Sequence, residues 1–323
     1  MASKAKNSAR ANPAPVRPRR VSIFASALFL VMSTFTLGAA AISLLGSPSD
    51  GTHSVTLRLG PGTLAHADDA HTDTEGSETG HPDDPIAAFA AHPEDPNGRI
   101  RIAILVTGLG LSEKETRRAL ATLPRGTTLS FSPYARNAQP LVDEARRLGF
   151  EVLLEVPLEP FDYPDNDPGP HTLLTGLSAS ENEARLDWLT GRFTGFPGLV
   201  AVSGGRFLAV PDATRPFFEL VKARGYYFVD AASTQPALVL RNASDIGVPA
   251  IARSVVLDDA LDRGAVDAAL LRLVSHAEAE GTALGITAWY PAMGGHIARW
   301  AGGLEAEGFV LLPLSALVRP AIN

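Results

Sequence analysis

The sequence predicts an α/β fold in which parallel strands alternate with helices and curl into a closed or nearly closed barrel. From Ile100 onward, one pattern occurs four times: a helical stretch, a glycine and a short apolar strand, with the glycines at Gly149, Gly225, Gly281 and Gly308. A glycine just past a helix takes the left-handed conformation that closes the last turn. Helices that alternate with strands at this spacing indicate parallel βα units. Seven or eight such units in 323 residues favour a barrel, and an open doubly wound sheet is the alternative.

The predicted elements follow each other closely. Eight short apolar segments are predicted as strands, at residues 100–107, 127–131, 151–156, 199–203, 226–230, 250–256, 283–288 and 309–312. Six segments with helical periodicity are predicted as helices, at residues 112–123, 137–148, 180–193, 212–224, 262–280 and 295–307. The third helix is predicted to begin with a capping box at residues 180–183.

The first 98 residues differ in composition from the rest. Residues 1–20 carry six basic residues and no acid, residues 21–46 carry no charge, and residues 47–98 carry ten acids and one base. About 20 apolar residues span a bilayer, and a polar, acidic segment poor in large apolar residues stays unfolded. The composition therefore predicts a basic cytoplasmic tail (1–20), a transmembrane anchor (21–46) and a disordered acidic linker (47–98). One folded domain (99–323) follows.

The basic flank also predicts the orientation of the anchor. Positively charged residues beside a membrane span stay in the cytoplasm. We therefore expect a single-pass protein of the inner membrane with its domain in the periplasm. A cleaved signal peptide is the alternative, because Ala65-His66-Ala67 resembles a cleavage site. The apolar regions of signal peptides run to about 15 residues, which is shorter than this stretch.

Composition and missing motifs exclude several classes of function. Of the net charge of −7, residues 99–323 account for −4, which gives no support for nucleic-acid binding. The chain has no cysteine, which excludes disulfides and thiolate metal sites. The run Thr107-Gly108-Leu109-Gly110 lacks the third glycine of a dinucleotide site, and there is no Walker pattern or nucleophile elbow.

A long, stiff loop is predicted after the third strand. Residues 157–174 contain five prolines, and neither a helix nor a central strand tolerates that density. Loops longer than about 12 residues inside a compact domain are usually functional or disordered. The prolines favour a functional loop, which we call the proline loop.

Candidate site residues lie where strands end, because a parallel barrel builds its site at the carboxyl ends of its strands. Glu155 and Asp230 are the candidate catalytic residues. The candidate substrate-binding residues are Arg206, Glu159, Tyr163, His171, Trp289 and Tyr290.

Each of these residues also has a structural interpretation. A buried Glu155 needs a partner, and Arg206 or another inward-facing base could supply it as a structural ion pair, which is the alternative to a binding role. Asp230 could cap a turn, and Asp258-Asp259 could cap the next helix or bind a cation. Trp289 and Tyr290 could stack on a sugar or pack at the barrel mouth.

Several phrases in residues 102–317 point to a family. They include ILVTGLGLS, FEVLLEVPLEPFDYPDNDPGPHTLL, GGRF, RGYYFVDA and GVPAIARSVVLDD. In this order they resemble the divergent polysaccharide deacetylase family, membrane-anchored bacterial relatives of carbohydrate deacetylases. The resemblance implies a distorted (β/α)7–8 barrel of the polysaccharide-deacetylase type. In active relatives it implies metal-assisted hydrolysis of a C–N bond other than a peptide bond, which removes acetyl groups from N-acetylated sugars.

The resemblance also implies a metal site that this sequence does not reproduce. A divalent cation such as zinc would need one carboxylate and two imidazoles, with a second carboxylate as base. Active members carry an Asp pair after the first strand, where this chain has Thr107 and Gly108. The expected histidines near the fourth and seventh strands are also missing. Of the domain's three histidines, His171, His276 and His296, only His171 is a credible ligand. The metal ligands remain unassigned.

Two hypotheses about function follow. The first is an envelope protein of carbohydrate metabolism, an enzyme whose site has been rebuilt around a degenerate metal site. The second is a non-catalytic module that binds a glycan or an envelope partner between the proline loop and Arg206. The expected partners are a glycan or peptidoglycan-like polymer and the inner membrane, and no nucleic acid.

Overall fold

The computed structural model describes residues 82, 84–91, 98–260 and 262–318. The predicted tail and transmembrane anchor lie outside these residues, as does most of the predicted linker. Within the described parts of the chain, no helix has both the length and the apolar character that a membrane span requires.

Nine parallel strands form one sheet. The strands are β1 (Ile100–Leu109), β2 (Thr128–Phe131), β3 (Glu151–Glu155), β4 (Gly198–Ala201), β5 (Tyr227–Asp230), β6 (Ala250–Ala252), β7 (Val255–Val256), β8 (Thr282–Ala288) and β9 (Phe309–Leu311). Their order across the sheet is β6-β5-β4-β3-β2-β1-β8-β7, and β9 pairs with β1. The eight predicted strand regions are all present, and one of them, 250–256, is divided into β6 and β7.

One described helix precedes β1, and the others lie between strands. The helices are α1 (Pro85–Phe89), α2 (Glu113–Thr122), α3 (Ala138–Arg147), α4 (Ala179–Thr190), α5 (Gly205–Leu208), α6 (Pro211–Ala223), α7 (Pro236–Ile246), α8 (Arg263–Glu280) and α9 (Pro291–Ala301). Two 3₁₀ turns, Leu304–Glu307 and Leu314–Ala316, flank β9.

The sheet curls because its two edges are almost consecutive in the chain. Only Arg253 and Ser254 separate β6 from β7, and β6 pairs with β5 whereas β7 pairs with β8. The Arg253 amide donates to the Asp230 carbonyl oxygen at 3.0 Å, and the Ser254 amide donates to the Leu284 carbonyl oxygen at 2.8 Å. The result is a curled half-barrel of parallel strands, without a continuous ladder from β6 to β7. The prediction of a barrel is thus correct in its curvature and strand direction.

Strand residues alternate between two apolar clusters, as the period of two in a strand requires. On β1, Ile102, Ile104 and Val106 pack with the helices, whereas Ala103 and Leu105 belong to the second cluster inside the curl. The inner cluster continues around the sheet through Leu153, Val200, Val229, Leu284 and Ile286.

The amino end of the curl is closed around a buried carboxylate, Glu151, which is 1% exposed. Its oxygens accept hydrogen bonds from the Thr128 hydroxyl at 3.2 Å and the Tyr227 hydroxyl at 3.1 Å. They also accept from the backbone amides of Ser315 at 3.0 Å and Ala91 at 3.1 Å. A buried carboxylate needs such donors. The Ala91 amide, just after α1, thus connects this helix to the amino end of the curl.

The left-handed glycines predicted after helical segments are present, and Gly308 follows a 3₁₀ turn rather than an α-helix. Gly149, Gly225 and Gly308 have φ angles of 88°, 69° and 86°, the left-handed region expected after a helix. The predicted capping box of α4 is wrong by two residues. Ser178 is the cap, and its hydroxyl accepts from the Glu181 amide while the Glu181 carboxylate accepts from the Ser178 amide.

Two further helix predictions need correction. The predicted helix 295–307 begins earlier, at Pro291, and the consecutive glycines Gly302 and Gly303 end its α-helical part. Helix α7 was not predicted at all. Only Val239 and Ala243 of α7 are buried, so its apolar stripe is too short for a clear helical period.

Candidate functional site

A buried carboxyl group, that of Glu155, lies at the carboxyl end of β3. Glu155 is 8% exposed, and its Oε1 accepts hydrogen bonds from the Gly108 amide at 2.6 Å and the Ser130 hydroxyl at 2.7 Å. Burial raises the pKa of Glu155 to about 7, and these two hydrogen bonds act against that rise by favouring the charged form. A carboxyl group with this pKa exists in both protonation states near neutral pH, so it can accept or donate a proton.

Arg206, one of the possible partners of Glu155, pairs with Glu159 instead. Arg206 Nη1 lies 3.3 Å from Glu159 Oε1. Glu159 Oε2 also accepts from the Thr175 amide at 2.6 Å and the Thr175 hydroxyl at 2.7 Å. The Glu159 side chain is 6% exposed and that of Arg206 is 49% exposed, so the cation of this pair is open to solvent.

The GGRF segment, residues 204–207, lies against the start of the proline loop. The Phe207 amide donates to the Glu159 carbonyl oxygen at 3.1 Å. Gly204 has φ of 124°, and a Cβ there would come within 2.3 Å of the Leu158 Cβ. No L-residue fits this contact, so glycine lets the two segments approach and places Arg206 beside Glu159.

The far end of the proline loop is held by a stack of side chains. The His171 ring lies on the Trp188 ring of α4, with centroids 3.6 Å apart and planes within 2° of each other. The Arg192 guanidinium lies 4.7 Å from the centroid of the same Trp188 ring. The His171 amide donates to the Tyr134 hydroxyl at 3.2 Å. His171 thus anchors the loop.

Charge and burial around His171 disfavour its protonation. Its pKa is lowered, first by burial and then by the nearby cations of Arg185 and Arg192. Its Nδ1 is buried without a hydrogen-bond partner among the described residues. These effects favour the neutral imidazole, and Trp188 covers one face of its ring.

The aspartates predicted at strand ends bind backbone amides nearby. Asp230 is 1% exposed, and its Oδ1 accepts from the amides of Ala232 at 3.1 Å and Ser233 at 2.8 Å. Its other oxygen accepts from the Ser233 hydroxyl. Asp258 accepts from the Ala288 amide at 2.8 Å, so its predicted role as a helix cap is wrong. Asp262 caps α8 instead, because it directly precedes the helix and accepts from the Ala265 amide.

Comparison with known proteins shows the family to which the chain belongs. The profile of the family described as "Divergent polysaccharide deacetylase" matches residues 104–318. The chain belongs to this family. The crystal structure of the uncharacterized protein ATU2773 from Agrobacterium tumefaciens C58 superposes with a TM-score of 0.69 and 33% identity, covering 73% of this chain and 95% of that one.

Two curated relatives are more distant. An uncharacterized protein of Haemophilus influenzae is 22% identical over 186 residues, 58% of this chain and 65% of its own length. The uncharacterized protein YibQ of Escherichia coli is 21% identical over 192 residues, 59% of each chain. The chain therefore spans less than two thirds of the length of either relative.

Thr107 and Gly108 are the two positions that matter most in this member of the divergent polysaccharide deacetylase family. The resemblance implies an Asp pair at these positions. The Thr107 hydroxyl is nearly buried and donates to the Thr287 carbonyl oxygen at 3.4 Å. Gly108 presents its amide to Glu155. Neither residue offers a carboxylate, and the Gly108 amide is a donor where a metal needs an acceptor.

The aromatic candidates differ in their surroundings. The Trp289 amide donates to the Thr107 carbonyl oxygen at 2.9 Å, and its indole N–H lies 3.4 Å from a carboxylate oxygen of Glu115. Trp289 is partly buried and packs against the core. Tyr290 is 39% exposed, whereas Tyr163 is partly buried in the proline loop.

The structure thus brings some predicted residues together and leaves others apart. Glu159 and Arg206 share one site, and Gly108 and Glu155 share another. In the described part of the chain, no three His, Asp or Glu side chains gather closely enough to hold a metal ion. Thr175 and Trp188 were not predicted as site residues. Their contacts are made across the fold, and the sequence around them contains no motif that marks such roles.

Proposed function

We propose that this protein binds glycans in the cell envelope and has a degenerate metal site in place of the deacetylase centre. The observation that carries the proposal is the hydrogen-bonding pattern at β1 and β3. Gly108 donates its amide to Glu155, at a position where the resemblance implies a metal-binding carboxylate. A zinc site needs three protein ligands with lone pairs free for the metal. The described residues do not meet that need, because no three His, Asp or Glu side chains among them lie close enough together to hold one metal ion.

The exposed groups beside the proline loop support binding of a sugar polymer. Arg206 is half exposed and held by Glu159, so its remaining N–H groups are positioned for sugar hydroxyls. Phe161, in the same loop, is 61% exposed and offers an apolar ring face. Binding sites combine such apolar surfaces with a few fixed polar groups. A glycan or peptidoglycan-like polymer is the proposed ligand.

Calorimetry with a neutral N-acetylglucosamine tetramer tests this proposal. Arg206→Ala should weaken binding at least about 10-fold, because a charge-assisted hydrogen bond contributes on the order of 1.5–3 kcal/mol. Arg215→Ala is the matched control, since Arg215 is 72% exposed on α6 and pairs with Glu219. Equal affinity of the two variants, or no binding by the wild type, would contradict the proposal.

The cellular location is a separate part of the proposal. The uncharged stretch at residues 21–46 after a basic flank supports a single-pass inner-membrane protein with a periplasmic domain. A reporter that works only after export, fused behind Ala321, should be active. Activity from a reporter that works only in the cytoplasm would reverse the orientation.

A second candidate function is hydrolysis of a glycan substrate without a metal ion. The pKa of Glu155, near 7, favours this function. A general base of this pKa contributes typically 10²–10⁴-fold at neutral pH. Such activity would rise as the pH increases through about 7, because the base acts in its ionised form. It would survive a chelator and be lost in Glu155→Gln. Retention of full activity in Glu155→Gln would exclude this role.

A further inference from the structure

A second candidate binding site lies between α8 and α9. It is a cavity of about 280 Å³. Its lining includes Arg263 and Val266 from α8, Tyr290, and Met293, His296 and Arg299 from α9. We call it the α8–α9 pocket. Both helices begin after the carboxyl ends of strands, β7 and β8, so Arg263 and Tyr290 lie toward the face where parallel α/β sheets bind ligands, and the pocket extends along α9 to Arg299 in its last turn.

The charges of the α8–α9 pocket are unbalanced. Neither Arg263 nor Arg299 has a carboxylate partner among the described residues. His296 is different, because its Nε2 lies 2.6 Å from Asp267 Oδ1, so Asp267 contacts the imidazole and neither arginine. Two guanidinium groups without ion pairs among the described residues therefore line one small cavity, in a domain whose net charge is −4 over residues 99–323. This local excess of positive charge favours an anionic ligand.

The rest of the lining indicates what carries the anion. Val266 and Met293 are 5% and 4% exposed, so they form an apolar floor. Tyr290, at the start of α9, exposes 39% of its surface and offers a ring face and a hydroxyl. Ligand pockets typically measure about 300–1,000 Å³, so this volume accommodates one ring rather than an oligomer. An apolar floor, an aromatic wall and two arginines suit a sugar ring with one acidic substituent.

We propose that the α8–α9 pocket binds an acidic sugar unit, a pyranose ring that carries a carboxylate or a phosphate. This inference rests on the proposed glycan-binding function and specifies the class of sugar recognised. Arginine is suited to either anion, because its planar guanidinium donates two parallel hydrogen bonds to carboxylate or phosphate oxygens.

Calorimetry on the full chain with three monosaccharides tests the proposal. N-acetylmuramic acid and N-acetylglucosamine 6-phosphate share the ring of N-acetylglucosamine, which serves as the neutral probe. At least one acidic sugar should bind 10-fold or more tightly than the neutral one, and the stronger of the two identifies the anion. This preference should decrease between about 0.05 M and 0.5 M salt, because salt screens exposed charges.

Variants of the two lining arginines test whether the acidic sugar binds in the α8–α9 pocket. Arg263→Gln and Arg299→Gln should each weaken binding of the preferred acidic sugar about 10-fold and leave the neutral probe unchanged. Arg272→Gln is the control, because Arg272 is an exposed arginine of the same helix and does not line the pocket. Circular dichroism establishes that each variant is folded. Equal binding of acidic and neutral sugars overturns the proposal, as does unchanged affinity in both folded pocket variants.

The neutral N-acetylglucosamine tetramer separates this inference from the proposed function. If the tetramer binds in an Arg206-dependent way while acidic sugars show no preference, the pocket assignment fails and the proposed function stands. If the tetramer does not bind while acidic sugars depend on Arg263 and Arg299, the pocket assignment stands and the Arg206 site fails.

Discussion

Replacement of Glu155 by Gln should change how the stability of the protein depends on pH. Burial raises the pKa of Glu155 from 4.5 to about 7. Below pH 4.5 the carboxyl is protonated in both the folded and the unfolded states. As the pH rises toward 7, the unfolded state releases the proton first, so the wild type loses stability across that interval. At about 1.4 kcal/mol per pKa unit, the loss amounts to about 3 kcal/mol.

Glu155→Gln lacks this titration and should not lose that free energy. Glutamine retains an oxygen for the Gly108 amide and the Ser130 hydroxyl, and any fixed cost of its amide group is the same at every pH. The difference in the free energy of unfolding, variant minus wild type, should therefore increase by about 2–3 kcal/mol between pH 4.5 and pH 8. Urea unfolding followed by circular dichroism measures it.

Glu278→Gln provides the control for this experiment, because Glu278 is an exposed residue of α8. Its unfolding free energy should parallel that of the wild type at each pH. If the Glu155→Gln and wild-type curves are parallel from pH 4.5 to 8, burial does not raise the pKa of Glu155. The argument that Glu155 accepts a proton near neutral pH would then fail as well.

Three further predictions concern the framework around the site. Gly204→Ala should destabilise the protein by at least about 2 kcal/mol in thermal unfolding, because the new Cβ would lie 2.3 Å from the Cβ of Leu158. A melting temperature equal to that of the wild type would refute this close approach. Trp188→Leu should lower the free energy of unfolding by about 1 kcal/mol and speed proteolysis within the proline loop, because it removes the ring that stacks on His171. Unchanged proteolysis would show that the stack does not hold the loop. Gly308→Val should cost on the order of 1–2 kcal/mol, since φ is 86° there, and Gly302→Ala, at φ of −65°, should be tolerated.

The framework was largely predictable because local patterns encode it. Strands β1 and β3 are runs of buried apolar residues bounded by glycine or proline, and these signals do not depend on the rest of the fold. The division of 250–256 into β6 and β7 was not predictable from such patterns. It depends on which neighbours, β5 and β8, the curl brings near each half.

Which side chains contact each other in the site was harder to predict, because these contacts also depend on which segments the fold brings together. Glu155 and Glu159 lie four residues apart, and the sequence alone does not distinguish which of them meets Arg206. The approach of Gly204 to Leu158 decides it, because it brings the GGRF segment beside the start of the proline loop. The contact of His171 with Trp188 joins the proline loop to α4, and Trp188 lies in no motif that marks it as the partner.

Release of acetate from an N-acetylglucosamine tetramer, measured with zinc and with a chelator, tests the central claim most directly. The metal-dependent reaction requires a ligand set that Thr107, Gly108 and their neighbours do not supply, and loss of a general base and a metal removes at least about 10²–10⁴-fold of rate. We predict release at the background rate with zinc present. Turnover that zinc restores and a chelator abolishes would contradict the account, and Glu155, Asp230 and His171 would then be the first ligands to replace.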